Sequence, residues 1–483
     1  MLELWQTISP FVLPLYYVAI FFVVIGILLE NRNPLKTHSY LLLLLLLPLL
    51  GIVIYLFFGQ NIRKRKIFAK KLLINQAFGE QYFQNRIEHK EIDEIIPPKL
   101  TQYERVIRFL KKDLSPLTQN NEVTILKNGE EKFPVLIESL KQARHHIHME
   151  YYIYEEGDIG NKIAEILMEK ARQGVVVRLI VDGVGSLSLT KQFFKKLRES
   201  GVQVVEFMPV LFPSFTSKIN YRNHRKIVVV DGMIGFTGGI NISDRYINNG
   251  KYNTFWRDTH VKIEGEAVKT LQFLFILSWQ FVTQEEILPE SEFFPEFTPK
   301  GSSLMQINAS GPDWELASIM DSFFMAINSA RKTVRIATPY FIPTESILDA
   351  ITTASKSDIE VELIIPRESD SWIVKSASRS FVKQLLEAEV KVYFYEKGFL
   401  HSKVIIIDDS FASVGSANMD YRSYDLNHEV NAYFYDKEVV EELIKEFKLD
   451  KQDSSLVDSA RWKNRKLWPK LKESVCRLLA PLL

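Results

Sequence analysis

The chain has 483 residues, which exceeds the usual size of one domain and indicates two or three folded units. It carries 60 Lys and Arg residues against 59 Asp and Glu residues, so its overall charge does not favour binding to nucleic acid. Its single cysteine, Cys476, excludes a disulfide framework and a thiolate metal site within one chain.

Two long apolar segments lie at the N-terminus, at residues 11–29 and residues 40–58. Each has about 20 residues, which is enough for a helix to cross the ~30 Å hydrocarbon layer of a bilayer. A short polar turn joins them. The pattern predicts a two-helix transmembrane hairpin over residues 1–60, with two buried core helices as the alternative.

Basic residues beside these segments predict their orientation. No Lys or Arg precedes the first segment, whereas residues 63–71, RKRKIFAKK, carry six. Loops on the cytoplasmic side of a membrane are enriched in Lys and Arg. We therefore expect both termini and the main body of the chain on the cytoplasmic side of the cell membrane. The basic segment also suits contact with anionic lipid headgroups.

From about residue 125, strands alternate with helices in two similar series. Predicted strands of the first series are residues 146–156, 175–185 and 202–207, with helices at 160–174 and 189–201. Predicted strands of the second are residues 332–342, 359–366 and 390–396, with helices at 345–357 and 379–389. This alternation predicts an α/β fold of two similar lobes, each a mixed β-sheet flanked by helices. The expected divisions are a juxtamembrane linker with some helix at 61–125, a first lobe at 126–290 and a second lobe at 291–483.

Each series ends in a strand that begins with the pattern H-x-K. The first copy, HRKIVVVDG, holds His224 and Lys226, and the second copy, HSKVIIIDD, holds His401 and Lys403. Residues two apart in a strand share a face, so each histidine points the same way as its lysine. One such strand end arises easily by chance, but two copies with the same residues following at the same distance do not.

An aspartate follows each histidine after seven residues, namely Asp231 and Asp408. This odd spacing places each aspartate on the opposite face of its strand from the histidine, at a turn. A structural or supporting role therefore fits these two carboxylates better than direct contact with the histidine.

A second strand follows each motif and ends in an asparagine, Asn241 in GFTGGIN and Asn418 in ASVGSAN. The Asp231-Gly232 turn of the first copy indicates a hairpin, and a hairpin brings each asparagine back towards the histidine of its own lobe. The small residues before each asparagine allow a ligand to approach the backbone. Two imidazoles, two ammonium groups and two carboxamides at one interface predict a cationic pocket for a phosphoryl group.

At these residues the chain resembles the phospholipase D superfamily, which carries two copies of H-x-K-x4-D-x6-G-[SG]-x-N. Its resemblance to the bacterial cardiolipin synthases runs nearly end to end. It includes NYRNHRKIVVVDGMIGFTGGINI, WRDTHVKIEG, TPYFIPTESILDA and GFLHSKVIIIDDSFASVGSANMDYRSYDLNHEVNA. Arg245 departs from the pattern, since an acidic residue is expected there.

The resemblance implies roles for the motif residues. His224 and His401 would act as nucleophile and general acid/base, Lys226 and Lys403 would bind the phosphoryl oxygens, and the remaining motif residues would be Asn241, Asn418, Asp231 and Asp408. The two asparagines would bind substrate, and the two aspartates would complete the catalytic motifs. Family members often use a further carboxylate to support each histidine. Asp258 and Glu429 occupy suitable places, with a structural ion pair as the alternative.

The activity that the resemblance implies is cardiolipin synthesis. A phosphatidyl group would pass between two phosphatidylglycerol molecules through a phosphohistidine, releasing glycerol, with no metal or other cofactor. The alternative is hydrolysis to phosphatidic acid by the same residues. The expected partners are phosphatidylglycerol, cardiolipin and the lipid bilayer, without nucleic acid. The expected location is the cell membrane, with two spans and the catalytic lobes in the cytoplasm. Oligomeric state is left open.

The C-terminal tail, residues 460–483, mixes basic residues with Trp and Leu. Such a segment is suited to lie at a membrane surface as an amphipathic helix. A solvated terminal helix is the alternative, and the sequence does not decide between them.

Overall fold

A computed structural model describes the chain at residues 18, 20–29, 34–46, 51–52, 96, 98–209, 220–285, 287, 291–296, 299–314 and 316–482. The chain divides into two compact units. The smaller comprises Met1–Lys70 with Leu211–Ile219, and the larger comprises Lys71–Val210 with Asn220–Leu483.

The smaller unit contains two helices within its described residues, at 20–29 and at α1 (Pro34–Leu46). They pack together through Ile27 and Leu44, which are both buried. None of the helices described here combines the length and apolarity needed to cross a bilayer. The predicted spans at 11–29 and 40–58 lie partly outside the described residues.

The larger unit is built on strands that form two similar lobes. Strands of the first lobe are β1 (Thr118–Lys127), β2 (His146–Tyr151), β3 (Val176–Asp182), β4 (Gln203–Phe207), β5 (Ile227–Val230), β6 (Ile234–Gly238), β7 (Phe255–Arg257) and β8 (Thr259–Glu264). Strands of the second lobe are β9 (Ser303–Ser310), β10 (Thr333–Ala337), β11 (Phe341–Ile342), β12 (Glu360–Pro366), β13 (Lys391–Tyr395), β14 (Gly398–Leu400), β15 (Val404–Ile407), β16 (Phe411–Gly415), β17 (Met419–Asp420), β18 (Glu429–Phe434) and β19 (Ser454–Leu456).

Helices flank these strands in both lobes. The helices that precede β9 in the sequence are α2 (Glu104–Lys112), α3 (Asn128–Gln142), α4 (Asp158–Arg172), α5 (Lys191–Glu199) and α6 (Val268–Thr283). The helices that follow β9 are α7 (Ser318–Asn328), α8 (Glu345–Lys356), α9 (Trp372–Glu387), α10 (Tyr421–Asp425), α11 (Lys437–Gln452), α12 (Ser459–Lys463) and α13 (Leu467–Arg477). Short 3₁₀ turns lie at Pro98–Tyr103, Asp244–Tyr246, Ser291–Phe293 and Ala480–Leu482.

Helix α4 shows why the sequence forms these elements. Its apolar residues recur at helical spacing, so Ile159, Ile163 and Leu167 are buried on one face. Asp158 lies at the N-terminal end of the helix dipole and Arg172 lies at the C-terminal end, where each charge is favourable.

The main strands form one sheet in the order β19-β13-β12-β10-β15-β16-β18-β9-β1-β8-β6-β5-β2-β3-β4. The two lobes follow the same order outward from the antiparallel contact between β1 and β9. Strands β2, β3 and β4 pair in parallel, as do β10, β12 and β13, and the remaining pairs of the large sheet are antiparallel. The predicted duplicated α/β fold with mixed sheets is confirmed.

Each lobe has its own hydrophobic core. The first core includes Leu136, Ile147, Leu167, Leu179 and Val228. The second includes Ile336, Leu348, Leu363, Val382 and Ile405. Strands β5 and β15, which follow the two H-x-K patterns, are fully buried between other strands. They hold the start of each motif at a fixed position.

The fold of the second lobe and strand β1 include residues that precede the predicted lobe boundary at residue 126. Helix α2 buries Val106 and Leu110 in the core of the second lobe, and residue 126 lies inside β1. The predicted linker at 61–125 thus contains a helix and most of a core strand. Some helix is expected in that linker, whereas the strand is not, because its partner strands β8 and β9 lie far along the chain.

Candidate active site

The two motif histidines lie just before β5 and β15, where the lobes meet. The N–H of His224 donates to the carbonyl of His428 at 2.9 Å, and the N–H of His401 donates to the carbonyl of Arg257 at 2.7 Å. A short parallel pairing of β7 with β14 adds to this contact. Each histidine is thus held by backbone from the opposite lobe, so the lobe interface itself fixes its position.

Each histidine side chain also contacts a carboxylate from the opposite lobe. Nδ1 of His224 lies 2.9 Å from both carboxylate oxygens of Glu429, and Nδ1 of His401 lies 2.7 Å from Oδ2 of Asp258. Both carboxylates are fully buried. A carboxylate accepts hydrogen bonds, so Nδ1 of each ring carries the proton and Nε2 is the basic, reactive nitrogen. The sequence indicates these two carboxylates as supports for the histidines. It does not indicate that each carboxylate supports the histidine of the other lobe.

Small residues make room for these carboxylates. A Cβ on Gly239 would lie 2.1 Å from Oδ1 of Asp258. At the equivalent position of the second lobe, the hydroxyl of Ser416 donates to Glu429. The small residues of G-[GS]-x-N therefore accommodate the supporting carboxylate of the same lobe.

The motif lysines are buried beside the histidines. Nζ of Lys226 donates to the carbonyl of His224 at 2.6 Å, and Nζ of Lys403 donates to the carbonyl of His401 at 2.5 Å. Nζ of Lys403 also lies 2.8 Å from Nδ1 and 3.0 Å from Nε2 of His401. Each lysine thus folds back along the shared strand face towards its own histidine, as the spacing predicts.

The two asparagines differ in their contacts. Asn241 donates from Nδ2 to the hydroxyl of Tyr246 at 2.9 Å and accepts at Oδ1 from the N–H of Ile153 at 3.2 Å. Oδ1 of Asn418 is buried and has no hydrogen-bond partner among the described residues. Buried polar atoms are usually paired, so Asn418 has capacity for a ligand.

One cavity of about 360 Å³ brings both histidines and both asparagines together. Its lining consists of His224, His401, Asn241, Asn418, Tyr152, Ile153, Arg222, Arg245, Tyr246, Trp256, Tyr340, Ile342, Asp370, Val374, Asp420, Arg422 and Asn427. Both imidazoles therefore line one cavity at the lobe interface, where the sequence predicts the pocket. Among the residues that the structure describes, no group of three or more His, Cys, Asp and Glu side chains is arranged to hold a metal ion.

Burial controls the charge of this site. It lowers the pKa of His224 and of His401 to about 4, against the opposing effects of Glu429 and Asp258. Burial also lowers the pKa of Lys226 to about 7 and that of Lys403 to about 8. The pKa of Glu429 is lowered to about 2, because its contacts with His224 and Lys226 outweigh the opposing effect of burial. At neutral pH both imidazoles are therefore neutral, and the Glu429 carboxylate beside His224 is charged.

The motif aspartates lie outside the cavity lining. Asp231 accepts hydrogen bonds from the backbone N–H groups of residues 144, 145 and 146, at 2.8 to 2.9 Å. Asp408 accepts from the backbone N–H groups of residues 331, 332 and 333, at 2.7 to 3.3 Å. Each aspartate ties its turn to the start of a neighbouring strand. The structure therefore separates Asp231 and Asp408 from the catalytic groups to which the family resemblance assigns them.

Several cavity residues were missed by the sequence reasoning. Arg222 lies two residues before His224 in extended backbone, so the period of two that paired His224 with Lys226 also points to it. Its Nη1 donates to Asp182 at 3.3 Å. Arg245, noted only as a departure from the family pattern, lines the cavity and lies over the ring of Trp256 at 5.4 Å.

This fold and site define a duplicated phospholipase D-like domain. A sequence model of the family described as "Cardiolipin synthase, PLD-like domain" matches residues 136–272 and 323–451, and one described as "Phospholipase_D-nuclease N-terminal" matches residues 17–60. The chain belongs to the cardiolipin synthase family of phospholipase D-like enzymes, and the predicted resemblance is confirmed.

Known relatives match almost the whole chain. A cardiolipin synthase of Alkalihalophilus pseudofirmus is 43% identical over 473 residues, covering 97% of this chain and 93% of the relative. A probable cardiolipin synthase of Bacillus subtilis is 38% identical over 468 residues, covering 97% and 93%. The crystal structure of a phosphatidylserine synthase from Haemophilus influenzae Rd KW20 matches with a TM-score of 0.61 and 15% identity, covering 79% of this chain and 100% of that one. That structural likeness supports the fold alone.

Proposed function

We propose that the chain transfers a phosphatidyl group between two phosphatidylglycerol molecules, giving cardiolipin and glycerol. One observation carries this proposal: two imidazoles line a common cavity, and each has its Nδ1 held by a carboxylate of the opposite lobe. The arrangement leaves two Nε2 atoms for chemistry on one phosphorus. The name shared by relatives that match the chain nearly end to end supports the same activity.

The first step forms a covalent intermediate. Nε2 of one histidine attacks the phosphorus of phosphatidylglycerol, and the bond from phosphorus to the glycerol headgroup oxygen breaks. The other histidine, protonated at Nε2, gives that proton to the leaving glycerol. Free glycerol leaves, and the phosphatidyl group stays on the first histidine.

The second step uses the same two groups in reverse. The histidine that gave its proton now takes one from the terminal hydroxyl of a second phosphatidylglycerol. The hydroxyl oxygen attacks the phosphorus, the phosphorus–nitrogen bond breaks, and cardiolipin forms. Two phosphatidylglycerol molecules thus give one cardiolipin and one glycerol, without any further reactant.

Charge around the phosphate makes these steps possible. We assign Lys226, Lys403, Asn241 and Asn418 to the phosphoryl oxygens, where they would stabilise charge that develops in both transition states. The bound phosphodiester brings a negative charge beside the imidazoles, which raises the pKa of each histidine. Substrate binding therefore favours the protonated histidine that the first step requires.

The expected anchoring at the membrane is part of this proposal. Residues 1–60 would form a transmembrane hairpin, with the lobes at 126–290 and 291–483 in the cytoplasm. The two apolar segments and the basic residues after them support it, together with the family match at residues 17–60. Single cysteines introduced by Asn33→Cys and Lys195→Cys, each with Cys476→Ser, test the orientation with a membrane-impermeant maleimide. We expect labelling of residue 33 only from outside and of residue 195 only from inside.

Product analysis tests the activity. Purified full-length protein is given phosphatidylglycerol in detergent micelles, and the lipids and glycerol are quantified by mass spectrometry. We expect cardiolipin and glycerol in equal amounts, with both lost in His224→Ala and in His401→Ala. Phosphatidic acid without cardiolipin would favour the hydrolytic alternative.

A further inference from the structure

The last helix of the chain, α13, exposes an apolar stripe. Leu467 is 80% exposed, Trp468 75%, Leu471 50% and Val475 53%, and Leu478, which directly follows the helix, is 79% exposed. Their spacing of one, four, eight and eleven residues from Leu467 places them on one side of a helix. Large apolar side chains exposed together mark a surface that contacts something else.

Contacts on the opposite side fix the direction of this stripe. Cys476 and Glu473 are buried, and both carboxylate oxygens of Glu473 accept from Arg465, at 2.7 and 2.8 Å. The guanidinium of Arg477 lies 4.2 Å from the ring centre of Phe381 in α9. Helix α13 is therefore attached to the second lobe, and its apolar side faces away from the fold.

Cationic groups border the stripe on both flanks. On one flank, Nζ of Lys472 lies 4.7 Å from the ring centre of Trp372. On the other flank is a groove of about 580 Å³, which we call the basic groove. It is lined by Arg379, Lys383, Lys463, Arg465, Lys470 and Arg477, together with Glu387, Trp462, Glu473 and two serines. Six cations against two carboxylates favour an anionic partner, and an apolar stripe with lysine flanks is typical of a helix at a lipid surface.

Trp372 connects this surface to the active-site cavity. It is the first residue of α9 and is 61% exposed. Asp370 and Val374, two residues before and after it, line the cavity that holds the two histidines. The same helix thus contributes to the cavity at its start and carries α13 along its side.

We propose that α13, Trp372 and the basic groove dock on the surface of an anionic phospholipid bilayer and hold the cavity mouth beside the lipid headgroups. Leu467, Trp468, Leu471 and Leu478 enter the headgroup region, and the flanking lysines and arginines contact lipid phosphates. The orientation of the cavity rests on the proposed lipid substrate, whereas the docking of α13 does not. A second copy of this chain covering the stripe is the competing occupant.

A fluorescent probe on the stripe tests the docking directly. The single native cysteine allows one NBD label per chain, on full-length Cys476→Ser/Leu478→Cys, with Cys476→Ser/Lys195→Cys as the control on an exposed lysine of the first lobe. Both are placed in nanodiscs whose phosphatidylcholine is brominated in its acyl chains, with or without phosphatidylglycerol. We expect quenching at residue 478, at least twofold stronger with phosphatidylglycerol, and none at residue 195.

Other outcomes overturn the proposal. A residue-478 probe that stays in water in both lipid mixtures rules out docking, and equal quenching without phosphatidylglycerol rules out an anionic partner. A second copy of the chain would give a different result. The probe at residue 478 would then be shielded from water in lipid-poor detergent, more so as the protein concentration rises, and brominated lipid would not quench it.

An activity measurement tests the effect on substrate access. Leu471→Asp/Leu478→Asp changes only exposed side chains, so the fold and the cavity are expected to remain intact. We expect cardiolipin formation from phosphatidylglycerol in vesicles to fall about tenfold, with an unchanged rate on dispersed short-chain phosphatidylglycerol. Equal rates on vesicles would overturn the role in access. If neither substrate gives cardiolipin even with the unmodified chain, the proposed function fails, while the quenching result stands on its own.

Discussion

His224 of the first lobe donates its Nδ1 proton to Glu429 of the second lobe, with 2.9 Å between nitrogen and oxygen. The matching pair, His401 and Asp258, runs in the opposite direction between the lobes. Neither lobe alone can therefore hold its histidine in the reactive orientation. Correct packing of the two lobes is therefore required for both histidines to react.

Glu429→Gln preserves the size of the side chain but removes its negative charge. The amide can also turn its NH2 group towards Nδ1 of His224, where the carboxylate can only accept a hydrogen bond. We expect kcat to fall on the order of 10²- to 10⁴-fold with little change in KM, since loss of such a carboxylate disturbs the tautomer and the imidazolium. Initial rates with phosphatidylglycerol measure it, and Asp258→Asn should behave in the same way. Glu362→Gln is the control, because Glu362 is also buried and ion-paired, with Lys451 and Arg335, but lies outside the cavity lining. Equal rates for Glu429→Gln and Glu362→Gln would contradict the positioning role.

Gly239→Ala tests why small residues precede the asparagine. The added Cβ would lie 2.1 Å from Oδ1 of Asp258, so the carboxylate must move away from His401. We expect a loss of kcat similar to that of Asp258→Asn. At the equivalent position, Ser416→Gly removes the hydroxyl contacts with Glu429 and with the backbone of Val430 but adds no atom, so its effect should be at least tenfold smaller. Kinetics of the two variants side by side provide the measurement, and a reversed order of severity would refute the explanation.

The alkaline side of the pH profile reports the two lysines. The pKa of Lys226 is about 7 and that of Lys403 is about 8, mainly because both are buried. A lysine is charged below its pKa, so kcat/KM should decrease as the pH rises from about 7 to about 9. Lys403 also lowers the pKa of Lys226 by like-charge repulsion. Lys403→Met should therefore reduce kcat/KM and move the remaining decrease to higher pH. A profile whose alkaline side is unchanged in this variant would argue against lysine control.

Asp408→Asn separates a structural role from a catalytic one. Hydrogen bonds, chiefly from the N–H of Thr333 and from Gln102, outweigh burial and hold the pKa of Asp408 below its usual value. A lowered carboxyl pKa stabilises the fold above the ordinary value near pH 4, and this contribution is lost as the pH falls through the folded-state value. We expect a clear loss of thermal stability at pH 7, on the order of 2 kcal/mol, that shrinks below about pH 4.

The same variant should keep kcat within about threefold of the unmodified chain, since Asp408 does not line the cavity. Thermal melting and initial rates of one preparation answer both questions. A hundredfold loss of kcat at unchanged stability would restore Asp408 to the catalytic groups.

The sequence predicted the parts of the fold that depend on local pattern. Residues 175–185 were predicted as a strand and contain β3, and the Asp231-Gly232 turn was predicted as a hairpin. Both turn residues have positive φ, 53° and 67°, as a tight hairpin between β5 and β6 requires. In contrast, the sequence does not predict the start of β1, because its partner β9 lies in the second lobe and local pattern does not report such contacts.

The same division holds for the site. Spacing placed His224 with Lys226 on one face and set Asp231 on the other, and the structure agrees with both. The exchange of carboxylates between lobes depends on how two distant segments pack, which no spacing rule describes. The alternation of side chains along a strand also predicts Arg222 on the face of His224, whereas Tyr152 and Arg422 line the cavity only because of tertiary packing.

Trapping the covalent intermediate tests the central claim, that both imidazoles act on one lipid phosphorus. Protein is mixed with phosphatidylglycerol labelled at phosphorus, denatured within milliseconds at alkaline pH, where phosphohistidine survives, and mapped by mass spectrometry. We expect label on either His224 or His401 alone, loss of label when that histidine is replaced by alanine, and slower release of label when the other is replaced. Label on neither histidine, or on a residue outside the cavity, would contradict the account.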